Sequence, residues 1–300
     1  MLAEVRQCSG KMLKYYRAGA GGWCRTITAG RPWSGQGPII VPPISFVDVA
    51  SGRFGKLEID LEDGRFMAGG VDRLHLLAKE MDLTTGTLSA LSIDIKGGHF
   101  EDFTWDRLLL TVQEPLSFDT GSLLNRRMLQ FTTPAAAKVT AVVTEASLNR
   151  FLNSPQTLER LSVNAVGHNF LGGILAQLGG SADLGISFKE GTLSLQPNNR
   201  IVVTMQARAG MGSMAVPLPV EADTRAILKD GWINLSDTRV STNGQEISPQ
   251  LSGLVAERIN ALAGAGSRSQ DIRFVFTDLK IAPGDRIVMT GLAYVNRLRF

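Results

Sequence analysis

The stretch Val139-Thr140-Ala141-Val142-Val143-Thr144-Glu145-Ala146-Ser147-Leu148-Asn149-Arg150-Phe151-Leu152-Asn153-Ser154-Pro155 changes its apolar period halfway along. Val139, Ala141 and Val143 alternate with Thr140 and Val142, the two-residue repeat of a strand. After Thr144 the spacing becomes three and four, so Leu148, Phe151 and Leu152 share one face of a helix. Thr144 is placed to accept from the free N–H groups of the first turn. Ser154-Pro155 stops or kinks the run, because proline lacks an N–H and crowds the preceding turn. A strand feeds straight into a capped helix.

Working outward, alternation dominates on both sides. Leu57, Ile59 and Leu61 alternate with Lys56, Glu58, Asp60 and Glu62, ending at Asp63-Gly64. Leu91, Ile93 and Ile95 alternate with Ser92, Asp94 and Lys96 before Gly97-Gly98, and Leu108, Leu110 and Val112 are stopped by Pro115. Further on, Ile186, Phe188, Leu193 and Leu195 flank Glu190-Gly191, which reads as a hairpin turn. Ile201, Val203 and Met205 follow, and Ile227, Ile233 and Leu235 flank Asp230-Gly231. The last runs are Ile272 to Ile281 and, after Pro283-Gly284, Ile287, Met289 and Leu292. Strands joined by tight turns at this spacing predict an extended antiparallel sheet. One segment fits both periods. Val71, Leu74, Leu77, Ala78 and Met81 have helical spacing, while Leu74, Leu76 and Ala78 alternate; periodicity alone favours a helix there.

A second helix is predicted from Ser248 as cap and Pro249 at its first position. Leu251, Leu254, Val255, Ile259 and Leu262 form its apolar stripe, Gln250, Glu257 and Asn260 lie on other faces, and Gly264 ends it. A third apolar stretch, Phe170 to Leu178, is interrupted by Gly172 and Gly173 and followed by Gly179 and Gly180. Each glycine costs a helix about 1 kcal/mol relative to alanine. It reads equally as a marginal helix or lid and as an ordinary core loop.

The 300 residues are 44% apolar and 20% charged, values of a folded chain with a sizeable core. The net charge of +3 is uneven. Up to Val47 there are Arg6, Lys11, Lys14, Arg17, Arg25 and Arg31 against Glu4 alone, so that segment carries +5 and the remainder −2. A near-neutral body argues against nucleic acid as a partner. The basic leader offers contact with anionic membrane, at roughly 1 kcal/mol per cation, or is simply a solvated tail. Residues 1–45, rich in Gly and Pro towards their end, are expected to be disordered and outside a single domain spanning 46–300. Cys8 and Cys24 make neither a zinc pattern nor a disulfide framework. No run of eighteen apolar residues occurs, and no apolar core follows the leader's charges as in a secretory signal. A cytoplasmic or membrane-peripheral location is the expectation.

Catalytic groups are sparse. His75, His99 and His168 are far apart and none has metal-site spacing. Gly210-Met211-Gly212-Ser213 has the wrong register for a nucleophile elbow. Asp60, Glu62 and Asp63 read as solvated acids beside a turn rather than an acid–base pair. No catalytic residue, metal or cofactor is expected, and the chain reads as non-enzymatic.

The run Val142–Pro155 resembles the signature of the LmeA-like phospholipid-binding proteins: a strand, then Thr-Glu-Ala-Asp-Leu-Asn-x-Phe-Leu, then Ser-Pro. The cyanobacterial branch is the nearest in pattern. Ser147 replaces the usual acidic residue, which alters the helix start. The resemblance extends from about Phe46 to the C-terminus, with only the helix motif specific. It implies an α+β, β-rich fold like the tubular lipid-binding, BPI-like proteins, in which a strongly twisted antiparallel sheet wraps a long amphipathic helix. It also implies that Val71–Leu83 is a strand. The implied partner is a phospholipid or other acyl-chain lipid, held in an apolar tunnel or transferred, in the service of envelope or membrane lipid homeostasis. The residues expected to line the tunnel are Leu148, Phe151, Leu152, Leu251, Leu254, Val255, Ile259 and Leu262. The competing expectation is a structural protein of the same fold with a packed interior.

Overall fold

In the computed structural model, residues 13–18, 22–27, 46–66, 69–100, 103–126, 128–161, 185–210, 216–247, 249, 252 and 271–299 are described. A main sheet of nine strands contains β3 (Arg53–Phe66), β4 (Gly69–Asp82), β5 (Thr87–Leu88), β6 (Ala90–Phe100), β7 (Phe103–Val112), β8 (Leu116–Ser117), β9 (Met128–Thr144), β15 (Ile272–Ala282) and β16 (Arg286–Arg299). A second sheet is a five-stranded meander of β10 (Gly185–Gln196), β11 (Arg200–Gly210), β12 (Val216–Lys229), β13 (Trp232–Thr242) and β14 (Gln245–Glu246). Short helices α1 (Phe46–Ser51), α2 (Thr120–Arg126), α3 (Glu145–Leu152) and α4 (Pro155–Leu161) connect them. The expected extended sheet is therefore two sheets.

Register explains why the main sheet has one apolar face. Ile59, Leu76, Ile93, Leu110, Val139, Gly291 and Phe276 stand side by side across β3, β4, β6, β7, β9, β16 and β15. The next row is Leu61, Leu74, Ile95, Leu108, Ala141, Met289 and Leu279. Apart from Leu61 and Gly291, these residues belong to or pack against one core that also takes in Leu195, Ile201 and Ala226 of the second sheet. Burying each large aliphatic side chain is worth about 1.5–3 kcal/mol. A one-residue slip would turn a whole strand's aliphatic set to solvent, so the pattern fixes the register.

The glycine pairs expected to end strands do not end them. β3 runs on past Asp63-Gly64 and β6 past Gly97-Gly98. The register places Asp63, Asp72, Gly97 and Asp106 in one line across β3, β4, β6 and β7. Asp63 and Gly97 take left-handed backbone conformations, φ 51° and 59°. Across this line the inward residues are three apart instead of two: Leu61 and Gly64, Val71 and Leu74, Ile95 and Gly98. Glu80, at φ 48°, has the same effect between Ala78 and Met81. This accounts for the helix-like spacing of Val71–Leu83. It is a strand, paired on both sides, whose alternation twice changes phase.

Glu190-Gly191 is likewise not a hairpin turn. β10 continues through it with a one-residue bulge between Phe188 and Gly191, and the chain reverses at Asn198 and Asn199, both at positive φ. Position 191 needs glycine, because a Cβ there would lie 2.8 Å from the Leu152 side chain. Asp230-Gly231 is the expected turn, with both residues at positive φ as a two-residue hairpin requires. Its tip reaches the main sheet, where Phe276 donates its N–H to the Gly231 carbonyl at 2.8 Å. Trp232 lies against Phe274 and Phe276 at 6.3 and 5.5 Å between ring centroids.

The leader, expected to be disordered throughout, contains a hairpin of β1 (Leu13–Ala18) and β2 (Gly22–Ile27), paired from Leu13↔Ile27 to Ala18↔Gly22. Aromatic residues in LKYYRA and the aromatic and β-branched ones in GWCRTI favour strands, which outweighs the Gly-rich composition around them. The predicted Ser248 helix lies outside the described residues except for Pro249 and Ser252, which are helical. Phe170–Leu178 lies outside them entirely. Among the described residues no helix is long and apolar enough to cross a membrane.

Two expectations follow from local backbone. Gly97→Ala should destabilise the protein by about 1–3 kcal/mol in urea unfolding, from the left-handed φ and from Asp72, which crowds the site. Asp82 accepts from the Thr84 hydroxyl and from the Thr84 and Thr85 N–H groups. The Thr84 hydroxyl, the two N–H groups and the Arg53 guanidinium, against some desolvation, lower its carboxyl from 3.8 to about 2. A lowered carboxylate stabilises the fold above its ordinary value and stops doing so as pH falls through its folded one. The turn's contribution should thus fade between pH 3.8 and about 2. A carboxyl carbon titration by NMR with a midpoint near 3.8 would contradict this.

Candidate functional site

The strand-to-helix junction forms as its sequence dictates. Thr144 is the N-cap of α3, its hydroxyl accepting from the Ser147 N–H at 3.2 Å. Asp106 of β7 then fixes this turn to the sheet. It accepts from the Thr144 N–H at 2.6 Å, the Thr144 hydroxyl at 3.1 Å and the Ser147 hydroxyl at 2.9 Å. Ser147, the departure from the family pattern, is buried and takes part in the cap. Pro155 does not merely stop the helix. It starts α4, with the Ser154 hydroxyl accepting from the Thr157 N–H at 3.2 Å.

The polar side of α3 is what docks the second sheet. Glu145 Oε2 accepts from the Leu195 N–H at 2.7 Å. Asn149 accepts from the Leu193 N–H at 2.7 Å and donates to the Leu193 carbonyl at 2.8 Å. Asn153 does the same for Gly191, at 2.8 Å each way. The spacings match: four helical residues advance about 6 Å, and two strand residues about 6.6 Å. Residues four apart on α3 thus meet alternate residues of β10, and side-chain amides satisfy backbone groups that a neighbouring strand would otherwise take. Two further bonds close the junction: Glu145 N–H to the Asp285 carbonyl at 2.7 Å, and Gly284 N–H to the Leu195 carbonyl at 3.0 Å.

The residues expected to line a lipid site divide into two groups. Leu152 is buried over Gly191, Leu148 packs part-buried against the main core, and Phe151 is half-buried. Leu251, Leu254, Val255, Ile259 and Leu262 lie outside the described residues. Their neighbour Ser252 is buried, and its hydroxyl accepts from the Val240 N–H of β13 at 3.1 Å. On the apolar face of the main sheet, Leu91, Leu110, Phe131, Ala137, Val295 and Leu298 are among the walls of a cavity of about 10 Å³. That is room for about one water molecule, in walls with no polar surface.

Sequence reading of the apolar positions missed Asp106, Glu145, Asn149 and Asn153. The last three carry a readable signal, polar residues at i, i+4 and i+8. Their partner strand lies some 40 residues on, and nothing in the helix names it.

A protein-family model described as LmeA-like phospholipid-binding matches residues 82–288. This span includes β6 to β15, α3 and the helix motif, and starts at the last residue of β4 rather than near Phe46. No curated protein matches the chain.

Asn149→Ala should leave the N–H and carbonyl of Leu193 without partners, and buried unpaired groups cost about 1–3 kcal/mol each. A loss of roughly 2–4 kcal/mol in denaturant unfolding is expected, with faster amide exchange at Leu193. Unchanged exchange there would show that the bonds do not hold the two sheets together.

Proposed function

Because this chain belongs to the LmeA-like phospholipid-binding family, we propose that it holds the acyl chains of a phospholipid against the aliphatic face of its main sheet. The predicted stripe Leu251, Leu254, Val255, Ile259 and Leu262 forms the opposite wall, and Leu148, Phe151 and Leu152 flank it. The observation that carries the reading is the pair of cross-strand rows, seven strands wide, without a polar side chain. Such a face recognises shape and chain length rather than chemistry. These two rows offer no group for attacking a carbonyl or moving a proton, which supports carrying the lipid over transforming it.

The proposal extends to transfer between membranes in lipid homeostasis. The +5 leader supports a first contact with anionic headgroups, an attraction that salt screens.

Native mass spectrometry after gentle purification should show a phospholipid adduct, and the protein should take up fluorescent phospholipid. Leu254→Trp should lose lipid while keeping its unfolding midpoint, since bulk is added to a site that opens for cargo. In a packed interior the same change costs about 1–3 kcal/mol. Absence of both adduct and uptake would sink the proposal.

A further inference from the structure

The outer face of the main sheet carries a cluster that lipid holding does not use. Asp60 of β3 lies directly across from His75 of β4, and Glu58 is two residues along β3 on the same face. His75 Nδ1 is 3.0 Å from Asp60 Oδ1, and the other ring nitrogen, Nε2, is 3.6 Å from Glu58 Oε1. The three side chains are part-buried, 31%, 27% and 25% exposed for His75, Asp60 and Glu58, so all remain open to solvent. Asp94, on the other side of His75, is occupied by Arg107 in two bonds of 2.9 Å.

A neutral imidazole has one N–H. When Nδ1 donates it to Asp60, Nε2 keeps a lone pair 3.6 Å from Glu58 Oε1, which also has only lone pairs. Two acceptors then face each other beyond hydrogen-bond range, an arrangement that a cation between them relieves. Their separation is close to that of two ligands on a tetrahedral zinc ion, about 3.4 Å for bonds of 2.0–2.1 Å. A carboxylate accepting from the far nitrogen is also how metal-binding histidines are held in the right tautomer. Asp60 is kept in that role by Arg73, which donates to its Oδ1 at 3.2 Å. Lys56 occupies the other oxygen of Glu58, Oε2, and leaves Oε1 facing the ring.

We propose that a divalent transition-metal ion, zinc by its ligand chemistry, binds on this outer face between His75 Nε2 and Glu58 Oε1. Asp60 orients the imidazole, and water completes the coordination. β3 pairs only with β4 among the described residues, so the ion clamps an edge strand to its neighbour.

Zinc titration by calorimetry tests this in the full chain carrying Cys8→Ser and Cys24→Ser, which removes the leader's thiolates as competing ligands. One equivalent should bind with micromolar affinity and raise the melting temperature. His75→Gln and Glu58→Gln should each weaken binding by about tenfold or more, Asp60→Asn should weaken it as loss of an orienting group does, and His99→Gln should leave it unchanged. If His75→Gln does not fold, Glu58→Gln decides alone, with the cobalt absorption spectrum as second readout. Unchanged zinc binding in the folded variants overturns the proposal. So does the absence of zinc binding in the parent chain.

Discussion

The edge of β10 is the point on which the architecture turns. A strand at a sheet edge presents a row of unpaired N–H and carbonyl groups, and here Glu145 and Asn149 of α3 and its C-cap residue Asn153 satisfy that row at Leu195, Leu193 and Gly191. The same helix is continuous with β9 and pinned by Asp106 to β7, and its first N–H reaches the β15–β16 turn at Asp285. One eight-residue helix therefore joins the two sheets through directional bonds, where apolar contact alone would let them slide.

Curvature of the main sheet has a separate origin. Where Asp63 and Gly97 adopt left-handed conformations, the inward positions of β3, β4 and β6 change phase along one line, and Glu80 repeats the change nearer the other end of β4. Strands that change phase together can bend together while keeping their hydrogen-bonded register. The aliphatic rows thereby stay on one continuous face of a curled sheet, against which a helix or an acyl chain can lie.

The two faces then serve different chemistry. Inside, the rows from Ile59 to Phe276 and from Leu61 to Leu279 are aliphatic or aromatic throughout, broken only by Gly291. Outside, the row in register with them runs Asp60, His75, Asp94, Leu109, Thr140, Thr290 and Asp278. Cation and acid neighbours there pair across strands, as Arg107 does with Asp94. The histidine–carboxylate cluster lies on the second face.

Much of this was legible in the residues. Alternation located most strands, Thr144 and Ser154-Pro155 marked the helix boundaries, and the run Val142–Pro155 pointed to the right family, all because these signals are local to a few residues of backbone. The sequence by itself determined which positions are apolar, and hence which face of each strand is buried. It did not determine where alternation changes phase, so Asp63-Gly64, Gly97-Gly98 and Glu190-Gly191 read as turns, and Val71–Leu83 read as a helix by periodicity alone, although the family resemblance implied the strand it forms. Only tertiary structure decided those points, because pairing on both edges holds the backbone extended through residues that in isolation would reverse it. It also decided that Glu145, Asn149 and Asn153 are an adapter for a strand and that His75 meets Glu58 and Asp60. Each of those meetings depends on pairing between segments distant in the chain, which local patterns do not encode.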